Sequence, residues 1–390
     1  MINSIVVFYG SSRDFDEILQ NEVTSLEDAI TLIEVIQHYN ARIRPSEAAV
    51  KESDLARKLT AEVCIVRTDD YGSILDHAIA NFVTIITRNY DIGTLYVQNP
   101  PKRVFRSLYS AYPERIDIRN SKYITITREV LKTVYNGLCS DVLGQVSCKK
   151  QIMGGLYKAT VAKRQQPIVL MLYGPSGVGK TETAKSISKS LGGDLLRIQF
   201  SMMQTTEAFD YIFGAEHSKG SFARDMLARE SNVILIDEFD KVSPRFYNAF
   251  YELFDEGHFS DINYELDLPN AVFLLTCNFM TEHEIKTTLG AAMFSRIGAF
   301  IKYEDISKEH KVAIISKWYD SILKSLHEDE KAIIHGTNIL SWFIDNVSHY
   351  DNIRILKTKM ENAVFNKLTE TFVIAPTEEA QRVIPKKLSN

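Results

Sequence analysis

The chain has 390 residues, 45% hydrophobic and 24% charged, with a net charge of -5. This is the composition of a folded globular protein, and its acidic balance argues against a protein whose main task is to coat nucleic acid. Four dispersed cysteines without a CxxC pair argue against a zinc site or disulfide framework, and no run approaches the ~18 apolar residues of a membrane helix, so the expectation is a cytoplasmic, membrane-free location.

In chain order, residues 1 to 135 read as an N-terminal α/β domain of unknown role. The apolar runs SIVVFYG, EVCIVRT and FVTIITR are expected to be buried strands. TSLEDAITLIEVIQHY is expected to be one amphipathic helix, because Leu26, Ile30, Ile33 and Ile36 recur at helical spacing. Asp69, Asp70, His77 and Asp91 fall near expected strand ends but follow no recognisable catalytic spacing. The next division is 136–305, where RQQPIVLMLYG, LLRIQF, VILIDE and AVFLLTCN are strands alternating with helical patterns, which implies a parallel sheet. The pattern then turns all-helical over 306–375, with KVAIISKWYDSILKSL and ILKTKMENAVFNKL as amphipathic helices. Residues 376–390 read as a frayed tail.

The first chemistry lies at Gly174–Thr181. GPSGVGKT fits G-x-x-x-x-G-K-[ST], with a strand before it and a helix after it. Glycines let backbone N–H groups curl around phosphate oxygens, and the following helix points its positive end at the same anion. Gly174, Pro175, Ser176, Gly177, Val178, Gly179, Lys180, Thr181 and Glu182 are therefore the expected binding segment for ATP. Lys180 is assigned to the β- and γ-phosphates, and Thr181 offers its hydroxyl to Mg²⁺. Asp237 and Glu238 end the apolar strand VILIDE at the edge where open α/β sheets hold ligands. Asp237 is expected to hold the metal and Glu238 to polarise the attacking water.

With these motifs in place, the chain from about Ser140 onward resembles an AAA+ ATPase of the Clp/disaggregase branch in its second-ring form. The resemblance rests on DVLGQ (Asp141–Gln145), LMLYGPSGVGKTETAK, VILIDEFDKVSP and LFDEGHFSD. It implies a P-loop parallel-sheet core with a helical lid; residues 1 to 135, the separate N-terminal α/β domain read above, resemble no recognised family. It also implies an adenine pocket at Leu143 and Gly144, a sensor at Asn278, a trans-acting arginine at Arg296 and a second sensor at Arg354. Arg296 would reach the nucleotide of a neighbouring subunit, so the partner set includes a second copy of the chain in a ring or dimer.

Two departures from the family stand out. The stretch after Phe213-Gly214-Ala215 lacks the aromatic-Val-Gly tripeptide that pushes on substrate in threading members. Between Asn278 and Arg296 there is no insertion carrying a peptidase-docking tripeptide. The chain resembles torsin-type ATPases in lacking the pore aromatic. The leading reading is an ATPase that remodels a protein partner bound through its N-terminal domain. The alternative is a nucleotide-state switch or assembly scaffold controlling an effector. A nucleic-acid-associated ATPase is a third, disfavoured by the acidic balance.

Overall fold

In the computed structural model, residues 1–43, 58–161, 165–200 and 205–375 are described. The tail expected at 376–390 lies outside them. Two five-stranded sheets organise the chain.

The first sheet is built from β1 (Ile2–Tyr9), β2 (Ile30–Thr31), β3 (Leu59–Val66), β4 (Tyr90–Gln98) and β5 (Ile116–Asn120), in spatial order β2-β3-β4-β1-β5. All its pairings are parallel. One core packs around Ile5, Val7, Cys64 and Leu95, and a smaller one around Phe8 and Phe15.

Two expectations fail here. FVTIITR is not a strand. It forms the helix Phe82–Asn89, because Phe82, Ile85, Ile86 and Asn89 recur every three or four residues and are the ones buried. The strand is the next stretch, Tyr90–Gln98, whose glycine and tyrosines obscured it. The helix expected from Thr24 starts only at Leu32. Ile30 instead pairs with Cys64 of β3, and Leu26 is exposed.

The second sheet contains β6 (Ile168–Tyr173), β7 (Leu196–Gln199), β8 (Val233–Asp237), β11 (Val272–Thr276) and β12 (Ala299–Lys302), ordered β12-β6-β11-β8-β7 and parallel throughout. A short antiparallel hairpin, β9 (His258–Ser260) and β10 (Glu265–Asp267), lies outside it. Strands β6, β8 and β11 are fully buried, so they read as unbroken apolar runs. The helices Lys308–Ser325, Glu328–His335, Ile339–Asp345 and Ile353–Thr369 form a lid with its own core around Ile315, Leu356 and Met360.

The division expected at 135/136 falls inside one helix, Arg128–Asp141. Its buried residues Leu131, Val134 and Leu138 join the core of the second sheet, against Ile152, Ile187 and Leu235. The hand-over between the two cores therefore lies before Ile126. The first sheet is also fastened to the second. Arg224 Nη2 donates to Asp69 at 2.6 Å, the Lys102 backbone N–H donates to Asn263 O at 2.7 Å, and Arg13 reaches Glu230 at 3.2 Å. Asp91 lies at the opposite edge of the sheet, at the start of β4, and pairs with Lys58 and the N-terminus. Asp69, Asp70 and Asp91 are thus not gathered into one site.

Candidate nucleotide-binding site

Strand β6 runs out at Tyr173 into the loop Gly174–Gly179, and the helix Lys180–Ser190 begins where the loop ends. Gly174 has φ 130° and Gly177 φ 82°. A Cβ at Gly174 would lie 2.3 Å from the carbonyl oxygen of Tyr303, and one at Gly177 would lie 2.6 Å from Asn352 Oδ1. No side chain fits at either place, so the loop must present bare backbone. The second contact also puts the cap of the last lid helix directly on the phosphate loop.

Lys180 is buried, and burial lowers its pKa. Its Nζ donates to Gly174 O at 2.6 Å, Pro175 O at 3.1 Å, Cys277 O at 2.8 Å and Asn278 Oδ1 at 3.0 Å. The ammonium therefore sits in a ring of oxygens across the mouth of the loop, and Asn278 is within reach of it.

The two acids sit at the carboxyl end of β8. Asp237 is buried and accepts from Arg197 on β7, from Nε at 2.9 Å and Nη2 at 2.6 Å. The hydroxyl of Thr276, at the end of β11, donates to the other oxygen of Asp237 and accepts from the Glu238 backbone N–H at 2.9 Å. Glu238 takes a left-handed conformation, φ 55° and ψ 46°, which turns the chain sharply after the strand. Gln199 Nε2 donates to Glu238 Oε2 at 3.2 Å. Arg197 and Gln199 are two residues apart on β7 and therefore share one face.

These groups border one cavity of about 320 Å³ between core and lid. Its apolar end is made by Val142, Leu143, Ile306, Ile314 and Ile353. Its polar end is made by the loop from Ser176 to Glu182 with Asp237, Glu238 and Asn278, and Arg354 and Lys357 close it from the lid. Gly144 is not on the wall; it sits at φ 71° in the turn against His310.

Arg296 does not border this cavity. Its Nε donates to Asp255 at 2.9 Å, Nη1 donates to Ala292 O at 2.8 Å, and its guanidinium lies 4.1 Å from the Tyr251 ring centroid. Sequence reasoning missed Arg197, Gln199, Thr276 and Lys357. Lys357 alone carried a signal, since it lies three residues after Arg354 and one helical turn returns it to the same face.

A bare-backbone loop, a lysine and an apolar slot suit a nucleotide, and oxygen donors such as Thr181 and Asp237 suit Mg²⁺. The described residues contain no cluster of three or more His, Cys, Asp or Glu able to hold a metal by themselves.

A parallel sheet ordered β12-β6-β11-β8-β7 with this loop, these acids and a helical lid has the architecture of a P-loop AAA+ protein. Residues 165–323 match the family described as AAA domain (Cdc48 subfamily). The chaperone ClpB of Malacoplasma penetrans is 25% identical over 271 residues, which are 63% of this chain and 38% of that protein. The ATP-dependent Clp protease ATP-binding subunit ClpC of Staphylococcus saprophyticus is 25% identical over 268 residues, 64% of this chain and 30% of that protein. The fold resembles the S. cerevisiae Hsp104-ADP complex with a TM-score of 0.53 and 20% identity, covering 63% of this chain and 40% of that one. Residues 165–323 thus match an AAA domain, and the chain is similar to proteins of the Clp/disaggregase branch. It spans between 30% and 40% of the length of these relatives.

Proposed function

We propose that this chain hydrolyses ATP and uses the resulting movement of lid and subunit contacts to remodel a protein partner in the cytoplasm. One observation carries the reading: Lys180, Thr181, Asp237, Glu238, Asn278 and Arg354 border a single cavity between core and lid.

Binding asks the residues to change partners. Lys180 gives up its ring of carbonyls for phosphate oxygens. Mg²⁺, held by the Thr181 hydroxyl and Asp237, would neutralise charge on the phosphates. Asp237 must first release Arg197, which becomes a free cation beside the site. Glu238 leaves the Gln199 amide and takes a proton from water, while Asn278 orients that water. Arg354 draws the lid onto the phosphates. Arg296 is absent from its own chain's cavity and, in a ring or dimer, would serve the neighbour's. Purified Glu238→Gln protein should bind ATP, remain assembled and fail to turn it over. Normal turnover by this variant would overturn the assignment.

A second reading is favoured by a specific contact. The segment Gly214–Gly220, where threading relatives carry their pore residue, packs against the first sheet. His217 is buried, and a Cβ at Gly72 would lie 3.5 Å from its carbonyl oxygen. A loop held this way suits a nucleotide-state switch, in which the N-terminal region and not a pore contacts the effector. A loosely folded protein such as casein should stimulate turnover under the first reading and leave it unchanged under the second.

A further inference from the structure

A second cavity, of about 710 Å³, lies where the two sheets meet. That volume falls in the range of small-molecule sites. On one side stand the carboxyl ends of β1 and β5 and the helix Lys102–Ala111 that follows β4. In the first sheet the connection leaving β1 runs toward β2, while the one leaving β4 runs past β1 to β5. These two connections cross rather than diverge; what places a ligand here is that the cavity lies at the carboxyl end of the strands, the end at which open α/β sheets bind ligands. The crevice between β1 and β4 itself is filled by the chain: the Asn99 side-chain amide exchanges two 2.8 Å hydrogen bonds with Gly10. The cavity opens beside that plug, over β1 and β5.

Its walls have a definite chemistry. The half-buried rings of Tyr9, Phe105 and Tyr123 supply aromatic surface. Arg229 enters from the second sheet's side and lies 4.2 Å from the Tyr123 ring centroid. It is only 6% exposed, and no carboxylate lies within salt-bridge distance of it among the described residues. Its partners are neutral: Asn232 Oδ1, from Nε and Nη2, and the carbonyl of Met226. Three hydrogen bonds thus serve a guanidinium with five N–H groups. Burial without a counter-charge pushes its pKa down to about 10. Such a cation is costly unless an anion joins it. Arg106, exposed on the same wall, has no hydrogen-bond or ion-pair partner among the described residues. The wall also carries two acids. Asp267 is bound to His258 at 2.8 Å, which leaves Glu265 to accept from a donor.

Aromatic surface, two cations lacking counter-charges and one carboxylate suit a ring-bearing phosphate ester with amino groups. We propose that this cavity is a second nucleotide site, with the phosphate at Arg229 and Arg106 and the base against the aromatic rings. The inference does not depend on ATP turnover at the phosphate loop.

The test uses the full chain carrying Lys180→Ala, which deprives the phosphate loop of its anchor. Calorimetric titration with AMP, GMP, CMP, UMP and inorganic phosphate should show at least one nucleoside monophosphate binding one-to-one. Adding Arg106→Ala should weaken it roughly tenfold or more, as expected for loss of a charge-assisted contact, and Arg229→Met should abolish it. Should Arg229→Met fail to fold, Arg106→Ala decides alone. The site is refuted if no monophosphate binds, if Arg106→Ala leaves affinity unchanged, or if phosphate alone binds as tightly as the nucleotide.

Discussion

Thr276 joins both acids of the candidate site through one hydroxyl, donating to Asp237 and accepting from the Glu238 backbone N–H. Replacing it with valine keeps the shape and leaves a buried carboxylate oxygen and an N–H unsatisfied. Thr276→Val should lower unfolding stability by about 1–3 kcal/mol and slow turnover, measured by urea titration and phosphate release. Unchanged stability would mean that the two bonds do not form. Arg296→Ala tests a different assignment. Turnover should fall by ~10³ or more with ATP affinity little altered, and full-speed turnover would exclude a trans role. At this scale the sequence was informative where a motif fixes residue type and spacing, as at Gly174–Thr181. It was silent at Arg197, Gln199 and Thr276, because those residues meet the acids only through the lateral order β11-β8-β7, and strand order is not written in local spacing.

Single elements show what periodicity can and cannot say. β6, β8 and β11 are continuous apolar runs, and their assignment as strands follows from length and flanking turns. FVTIITR has the same apolar density, yet its buried positions follow a helical repeat, and short β-branched runs leave that choice to tertiary packing. The β9–β10 hairpin was equally hidden, being only three residues on each side. It offers a pH test. A hydrogen bond that His258 donates to the Asp267 carboxylate raises the pKa of the histidine. Its contribution to stability is therefore complete below the unfolded value of about 6.5 and disappears as pH rises through the folded value. Melting temperature should drop across that window, and His258→Gln should flatten the drop. An identical pH profile in the variant would show that the pair contributes nothing.

The whole molecule is defined by how its first sheet sits on its second. The contacts include polar ones, Arg224 with Asp69, Lys102 with Asn263 and Arg13 with Glu230, and an apolar one, Tyr9 of β1 against the core of the second sheet. Asp69→Lys places like charges together there. It should loosen the buried part of the segment around His217 and so speed trypsin cleavage after the already exposed Lys219, while leaving the melting temperature nearly unchanged. Cleavage no faster than in the parent chain would show that this contact does not cover the segment. The sequence made the separate cores legible through two sets of apolar strands. It gave no sign of their docking, because the docking contacts are scattered single residues, one of them backbone to backbone.

The seating of His217 beneath Gly72 has a consequence for any client. If Gly214–Gly220 is where another polypeptide would be held, the front of the chain already occupies that berth. Client and front end then become rivals for one place, and each molecule carries its own inhibitor at a fixed, very high local dose. Activity would depend on what lifts the front end away, more than on how much client is present.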